Sequence, residues 1–170
     1  MAGVYANGTT SAQTTAFGAQ FAGRALMLRY TIEGLGSFHR SATFLNRRFA
    51  VTSAHVVEGL LVYNPMFELF DGTNYISNIG SGVRVSKVTI HPDYVSGSNA
   101  VPDVALLEFA NPFQPNADQI IGSAAPGERV LSAGFGYWGT AATGLLRDGS
   151  LRGWDGFVST SSYGFQPGYY

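Results

Sequence analysis

One histidine and one aspartate stand where together they could activate a nucleophile. His55 follows a short β-forming run and the small residue Ala54, which leaves space beside the imidazole for a second segment. Asp103 opens an apolar run, residues 104–107, where a carboxylate is costly to bury unless another group pairs with it. A carboxylate bonded to one ring nitrogen holds an imidazole in the tautomer that takes a proton from a serine hydroxyl. The pair therefore predicts general-base chemistry at His55, with Asp103 orienting the ring.

The other histidines and one glycine-rich segment are weaker candidates. His39 reads as a surface residue of a strand, and His91 as part of a turn at a strand end. The chain has 3 histidines, none spaced as His-x-x-x-His, and no cysteine, so we expect neither a catalytic metal nor a cofactor. Residues 134–139 read Gly-Phe-Gly-Tyr-Trp-Gly and superficially match a dinucleotide fingerprint, but no helix or βαβ unit is predicted around them.

Composition limits the class of protein. Of the 170 residues, 45% are hydrophobic and 12% are charged, which predicts a globular chain with a sizeable core. The 22 glycines and 7 prolines punctuate short runs and favour an all-β fold. The net charge is −1 with no basic stripe, and no apolar run approaches the ~18 residues of a membrane span. We therefore expect no nucleic-acid partner and no membrane partner.

Roughly six β-type runs precede residue 110, and these must position the pair. They cover residues 24–32, 38–45, 49–53, 66–70, 83–90 and 104–109. Residues 54–58, around the histidine, read as one helical turn closed by Gly59. A small closed Greek-key barrel needs this number of strands. We predict an extended N-terminal segment (1–19), a first β-barrel (20–112), and a linker with a partial second barrel (113–170).

Three sequence blocks resemble the trypsin-like (chymotrypsin-fold) serine proteases. Residues 52–57 read Thr-Ser-Ala-His-Val-Val, residues 91–94 read His-Pro-Asp-Tyr, and residues 103–107 read Asp-Val-Ala-Leu-Leu. They are similar to the family's Thr-Ala-Ala-His-Cys/Val-Val, His-Pro-x-Tyr and Asp-Ile-Ala-Leu-Leu blocks, in the same order and at near-family spacing. Residues 133–136, Ala-Gly-Phe-Gly, are similar to the turn that opens the family's second barrel.

The resemblance implies a fold, an activity and a location. The fold would be the trypsin-like Greek-key β-barrel, with the first barrel complete and the second partial. The activity would be hydrolysis of peptide bonds in a polypeptide substrate through an acyl-enzyme, with His55 and Asp103 as catalytic residues. The implied location is extracellular or periplasmic, although the N-terminus does not read as a secretion signal.

The segment that carries the nucleophile is missing from this resemblance. In the family, the serine follows the aspartate by roughly ninety residues, and no Gly-Asp-Ser-Gly-Gly occurs before Tyr170. The later serines lack the glycine context that frames an oxyanion hole; they are Ser123, Ser132, Ser150, Ser159, Ser161 and Ser162. No Ile-Val-Gly-Gly-type start is present either, so activation by N-terminal cleavage is not predicted.

Three hypotheses follow from this combination. The chain is the His- and Asp-bearing portion of a serine endopeptidase, or a pseudoprotease that acts as a binding module, or a self-sufficient hydrolase with an unrecognised C-terminal serine. An incomplete second barrel would expose strand edges and apolar surface. We therefore expect the chain to associate with a serine-bearing C-terminal remainder or with itself, or to have a poorly ordered C-terminal third.

Overall fold

The computed structural model describes residues 2–5, 9–98, 101–119, 122–140, 144–158 and 165–167 of the chain. Within these ranges the structure is mainly β-strand, which confirms the predicted all-β class. The strands are β1 (Ala2–Tyr5), β2 (Ala25–Ile32), β3 (Gly36–Asn46), β4 (Phe49–Thr52), β5 (Met66–Phe70), β6 (Gly82–Ile90), β7 (Ala105–Phe109), β8 (Arg129–Gly134), β9 (Tyr137–Thr140), β10 (Gly144–Leu146), β11 (Arg152–Val158) and β12 (Phe165–Pro167). The helices are α1 (Ser11–Ala19), α2 (Ala54–Val57) and a 3₁₀ helix (Glu58–Tyr63), and none of the described helices is long and apolar enough to cross a membrane.

Strands β2 to β7 close into the predicted first barrel. Their order around it is β2-β3-β4-β7-β6-β5, and every neighbouring pair is antiparallel. Closure leaves these strands without a free edge. The barrel interior holds fully buried apolar side chains, among them Leu26, Leu28, Phe44, Leu69 and Leu107.

The pairing of β4 with β7 positions the two candidate residues. Thr52, the last residue of β4, lies opposite Ala105, the first residue of β7. In an antiparallel pair, the residues just after one strand lie beside those just before the other. This register therefore brings residues 53–55 alongside residue 103, although the two segments are far apart in the sequence.

A second apolar cluster joins the barrel to the rest of the chain. Successive side chains of a strand point to opposite faces, and those of Ala25 and Met27 leave β2 on the face away from the barrel core. There they pack with Phe135 and Leu151. The loop between β5 and β6 binds the same region, because Leu151 N–H donates to the Thr73 carbonyl oxygen at 2.7 Å. We call this contact region the seam.

Beyond the seam, the described residues of the second lobe form two three-stranded sheets, in the orders β1-β9-β10 and β12-β11-β8. This matches the expected partial second barrel. Strand β10 ends at Leu146, and Gly149 then takes a positive φ of 81°. A left-handed backbone at that glycine ends the extended run and starts a turn.

The N-terminal prediction is wrong for residues 11–19, which form α1 instead of an extended segment. Thr10 starts the helix with a capping box: its hydroxyl accepts from Gln13 N–H at 3.2 Å, and Gln13 Oε1 accepts from Thr10 N–H at 2.8 Å. Tertiary contacts then hold the helix on β11. Arg152, which is 2% exposed, donates to the Ser11 carbonyl oxygen at 3.0 Å.

Candidate active site

Asp103 and the start of α2 satisfy each other's hydrogen-bonding needs. The first N–H groups of any helix have no partner within the helix, and the N-cap residue of α2, Ser53, makes no side-chain capping bond. Asp103 takes that role, since its Oδ1 accepts from His55 N–H at 2.9 Å and its carboxylate also accepts from Ala54 N–H. The carboxylate therefore fixes the backbone from which the imidazole projects.

The two side chains that the sequence paired are in direct contact. His55 Nδ1 lies 2.6 Å from Asp103 Oδ2. An ionised carboxylate only accepts hydrogen bonds, so Nδ1 carries the proton and the neutral ring keeps its lone pair on Nε2. The His55 side chain is 63% exposed, whereas that of Asp103 is 38% exposed. The ring is thus oriented from one side and open to an incoming group on the other.

The surroundings keep Asp103 ionised. Partial burial on its own raises the pKa of Asp103, but the hydrogen bonds from the His55 backbone and side chain, the His55 charge and the Ala54 N–H outweigh it. The net effect is a pKa below the usual range of an aspartate. An ionised carboxylate at this position stabilises the imidazolium that forms when His55 accepts a proton.

Tyr94 and Glu58 lie close to the pair, and the sequence analysis did not assign them to the site. The Tyr94 hydroxyl donates to Glu58 Oε2 at 3.2 Å, which ties the 91–94 turn to the residue that follows α2. Partial burial raises the pKa of Tyr94, and the negative charges of Glu58 and Asp103 raise it further. The His-Pro-Asp-Tyr block carried the signal that could have identified Tyr94.

A chain of hydrogen bonds links the site to the second lobe. The Thr52 hydroxyl donates to the Ser41 carbonyl oxygen at 2.9 Å, which fixes the end of β4 against β3. The Ser41 hydroxyl oxygen in turn accepts from Phe135 N–H at 2.8 Å. A Cβ on Gly134 would lie 2.8 Å from that oxygen, so the turn after β8 approaches β3 more closely than a side chain would allow.

The remaining candidates lie elsewhere. His39 is half-buried on β3 and stacks on Tyr75, while the His91 ring accepts from Asp93 N–H at 3.2 Å in a turn. Ser123 is exposed, Ser132 lies on β8, and Ser150 accepts from Asn74 Nδ2 at 3.0 Å in the seam. Ser159, Ser161 and Ser162 fall outside the described residues.

In the part of the chain that the structure describes, no serine hydroxyl is hydrogen-bonded to the His55 ring. No three His, Asp or Glu side chains of the described ranges cluster as a metal site requires. The arrangement can therefore orient a general base and stabilise its protonated form. None of the described contacts places a nucleophile beside that base.

Comparison with known proteins finds a family whose sequence model matches most of the chain. The sequence model of the family described as Trypsin matches residues 26–163, which include both candidate residues. A search of curated protein sequences found no match.

Two solved structures share the fold. An inactivated protease paralogue of the scabies mite superposes with a TM-score of 0.61 at 19% identity, covering 84% of this chain and 63% of that one. Granzyme C (GrC) superposes with a TM-score of 0.62 at 16% identity, covering 82% of this chain and 61% of that one. The chain thus spans less than two thirds of the length of either structure. Because the family model covers most of the sequence, the chain belongs to the trypsin family.

Proposed function

We propose that this chain supplies the general base and its orienting carboxylate to a serine endopeptidase. His55 would take the proton of a serine hydroxyl as that oxygen attacks a peptide carbonyl carbon. It would then return the proton to the leaving amine, and an ester to the serine would remain as the acyl-enzyme. Water attacking that ester would repeat the proton transfer and release the acid. Asp103 would hold the imidazole in the required tautomer throughout.

One observation carries the proposal: the Nδ1–Oδ2 contact of 2.6 Å within a chain of this family. The backbone support of Asp103 strengthens it, because an aspartate that served only as a helix cap would not need a second oxygen aimed at an imidazole. The serine and its oxyanion hole would come from residues that this sequence does not contain. A chain that covers 63% and 61% of its structural neighbours is consistent with that division.

The reading frame provides the first test. A serine framed by glycines and encoded shortly after Tyr170 supports the proposal, whereas a native stop codon there contradicts it. The purified 170-residue chain should not react with a fluorophosphonate, which forms a covalent bond with activated serines. Covalent labelling of this chain alone would instead assign the nucleophile to one of its own serines.

The product of the complete reading frame provides the second test. His55→Gln should slow its fluorophosphonate labelling by about three orders of magnitude or more, and Asp103→Asn should lower kcat by about four. His91→Gln is the matched control, because it removes an imidazole from a turn outside the site. Labelling that survives His55→Gln, or that His91→Gln reduces equally, would refute the assignment.

A pseudoprotease is the second candidate. The observation that favours it is that, within the described residues, the His55 ring contacts no serine hydroxyl. In that case the chain would bind a polypeptide without cleaving it. A stop codon after Tyr170 together with unlabelled, folded protein would establish this alternative.

We further propose that the partner of this chain is the serine-bearing remainder of the same protease, in an extracellular or periplasmic location. Membership of the trypsin family supports the location. The second lobe supports the interaction with a partner, because Leu131, Tyr137 and Phe157 are 52%, 49% and 49% exposed. Apolar surface of this kind is usually covered by an interface. Light scattering should show self-association of the 170-residue chain that the added remainder suppresses; a compact monomer with a fully exchange-protected C-terminal third would contradict it.

A further inference from the structure

Two arginine side chains donate to a single backbone oxygen on β3. Arg40 Nη1 lies 2.8 Å from the carbonyl oxygen of His39, and Arg147 Nη2 lies 3.1 Å from the same atom. Arg40 belongs to the first barrel, whereas Arg147 follows β10 in the second lobe. The two donating nitrogens can therefore be no farther apart than the sum of these two distances.

Among the described residues, these two positive charges have no negative partner. Of the ion pairs in the described part of the chain, none includes Arg40 or Arg147. Arg29 provides the contrast, since it lies opposite His39 on β2 and is neutralised by Glu68 at 2.7 Å. Two like charges this close repel each other, and an anion placed between them would relieve that repulsion.

Two aromatic rings hold Arg147 in place. The Arg147 guanidinium carbon lies 5.3 Å from the ring centre of Tyr75 and 5.5 Å from that of Tyr137. Tyr75 is itself stacked on His39, with ring centres 4.4 Å apart. A guanidinium fixed between rings loses less freedom when it binds, and its planar donors match a carboxylate.

The arginine pair meets at β3, the strand that supports the candidate active site. His39 precedes Ser41 by two residues on β3, a step of about 7 Å along a strand, and the Ser41 carbonyl oxygen accepts from the Thr52 hydroxyl just before α2. The charges of the two arginines also act on the neighbouring His39. Burial first, and then the charges of Arg147, Arg29 and Arg40, lower the pKa of His39.

We propose that Arg40 and Arg147 form a binding site for a carboxylate, supplied by an Asp or Glu side chain of a polypeptide that passes along β3 towards His55. A carboxylate there gains charge-assisted hydrogen bonds from two planar donors. The flanking tyrosine rings contact the apolar part of the same side chain or its neighbour. Carboxylate binding stands on its own, whereas its use in selecting a substrate rests on the proposed endopeptidase function.

Titration of the 170-residue chain with acetyl-tetraglutamate amide, followed by NMR, tests the site. The resonances of His39, Tyr75 and Tyr137 should shift with the peptide, and acetyl-tetraglutamine amide should leave them unchanged. Shifts that are equal for both peptides, or that cluster on a different surface, would overturn the proposal. Because no bond is cleaved in this experiment, a failure of the proposed hydrolysis would not affect its outcome.

Single substitutions test whether these two guanidinium groups bind the carboxylate. Arg40→Gln and Arg147→Gln should each weaken tetraglutamate binding by about tenfold or more, the effect of losing a charge-assisted hydrogen bond. Arg84→Gln is the matched control, because it removes one exposed guanidinium from β6 and changes the net charge equally. Equal weakening by Arg84→Gln would show that only the overall charge attracts the peptide, and would refute the site. Thermal unfolding of each variant checks that the fold is retained.

Discussion

The first barrel and the second lobe differ in how their strands are paired and in how far their apolar side chains are buried. Every strand of the barrel has two hydrogen-bonded neighbours, and the side chains of Leu28, Phe44 and Leu107 are 0% exposed. In the second lobe, the outer strands β1, β8, β10 and β12 each have one neighbour among the described residues. Apolar side chains there remain in contact with water; Leu131 is 52% exposed.

The difference explains how this chain keeps a preformed His–Asp pair. Both residues flank strands of the closed barrel, β4 and β7, which are paired to each other. Their separation is therefore set by barrel hydrogen bonds and not by the second lobe. The hydrogen bond from Phe135 N–H to Ser41 is where the second lobe meets this framework. The geometry of the base can thus be complete in a chain whose second lobe, in its described part, does not form a closed barrel.

The largest expected effect distinguishes a buried side chain of the barrel from an exposed side chain of the second lobe. Leu28→Ala should cost about 2–5 kcal/mol of unfolding free energy, because it leaves a cavity in a core that cannot collapse. Leu131→Ala, on an exposed face of β8, should change that free energy by no more than about 0.5 kcal/mol. Urea unfolding of the two variants measures both values. Similar losses would mean that the side chain of Leu131 is buried, contrary to its described exposure.

A glycine on α1 provides the next test, because local propensity and packing predict opposite outcomes. Alanine is favoured over glycine within a helix by about 1 kcal/mol. A Cβ at position 18, however, would lie 2.5 Å from the Leu151 carbonyl oxygen. Gly18→Ala should therefore destabilise the protein by about 1–3 kcal/mol and speed hydrogen exchange in α1.

Gly59→Ala is the matched control for that substitution. Gly59 lies in the 3₁₀ helix, and a Cβ there would meet nothing within 4 Å. The change should be neutral or stabilising by up to about 1 kcal/mol. If both alanine variants are stabilising, α1 is not docked on β11 as described.

Acid should weaken both regions through separate carboxylates. Asp103 in the site and Asp148 in the seam each have a lowered pKa. Burial raises the pKa of Asp103, but hydrogen bonds from His55 and Ala54 outweigh burial. Burial likewise raises the pKa of Asp148, and hydrogen bonds from Ser150 and Arg152 outweigh it. A carboxyl with a lowered folded-state pKa stabilises the fold above its unfolded pKa of 3.8, and this contribution is lost as the pH falls through the folded value.

Asp103→Asn and Asp148→Asn should each flatten the decline of unfolding free energy below about pH 4. The two effects should add in the double variant, because the residues lie in different regions and share no partner. Urea unfolding at a series of pH values provides the measurement. If one single variant removed the whole acid dependence of the unfolding free energy, one carboxylate would account for the acid sensitivity of both regions.

The barrel and the paired residues could be predicted from sequence because their signals are local. Each strand is a short alternating or apolar run, and the histidine turn and aspartate block stand at the ends of two such runs. What the runs do not encode is the register that sets Thr52 opposite Ala105. The family resemblance supplied that contact, and the structure accounts for it physically.

Helix α1 shows why other features escaped prediction. Its capping residues, Thr10 and Gln13, are a short signal within a polar segment that composition assigned to an extended chain. Its anchor is Arg152, which is 141 residues away from its partner Ser11 in sequence. A charged residue reads as exposed until its partners are known. No pattern in a single sequence reports a contact over that distance.

The smallest expected effect lies at the seam itself, where His39 reports whether the two lobes are docked. Burial is the first cause that lowers the pKa of His39 from 6.5, followed by the charges of Arg147, Arg29 and Arg40. The unfolded chain then takes up a proton near pH 6.5 that the folded chain does not, so falling pH costs stability until the folded value is reached. Arg147 acts on His39 only while the second lobe is in place.

Arg147→Gln should therefore raise the pKa of His39 towards 6.5, as measured from the titration of its ring protons by NMR. Arg84→Gln, on β6, should leave that titration unchanged. Separating the second lobe from the barrel by mild urea should shift the pKa of His39 in the same direction as Arg147→Gln. Both changes remove the Arg147 charge, and the separation also removes burial. A His39 titration that Arg147→Gln leaves unchanged would show that the Arg147 charge does not act on β3 as the contact with the His39 carbonyl oxygen requires.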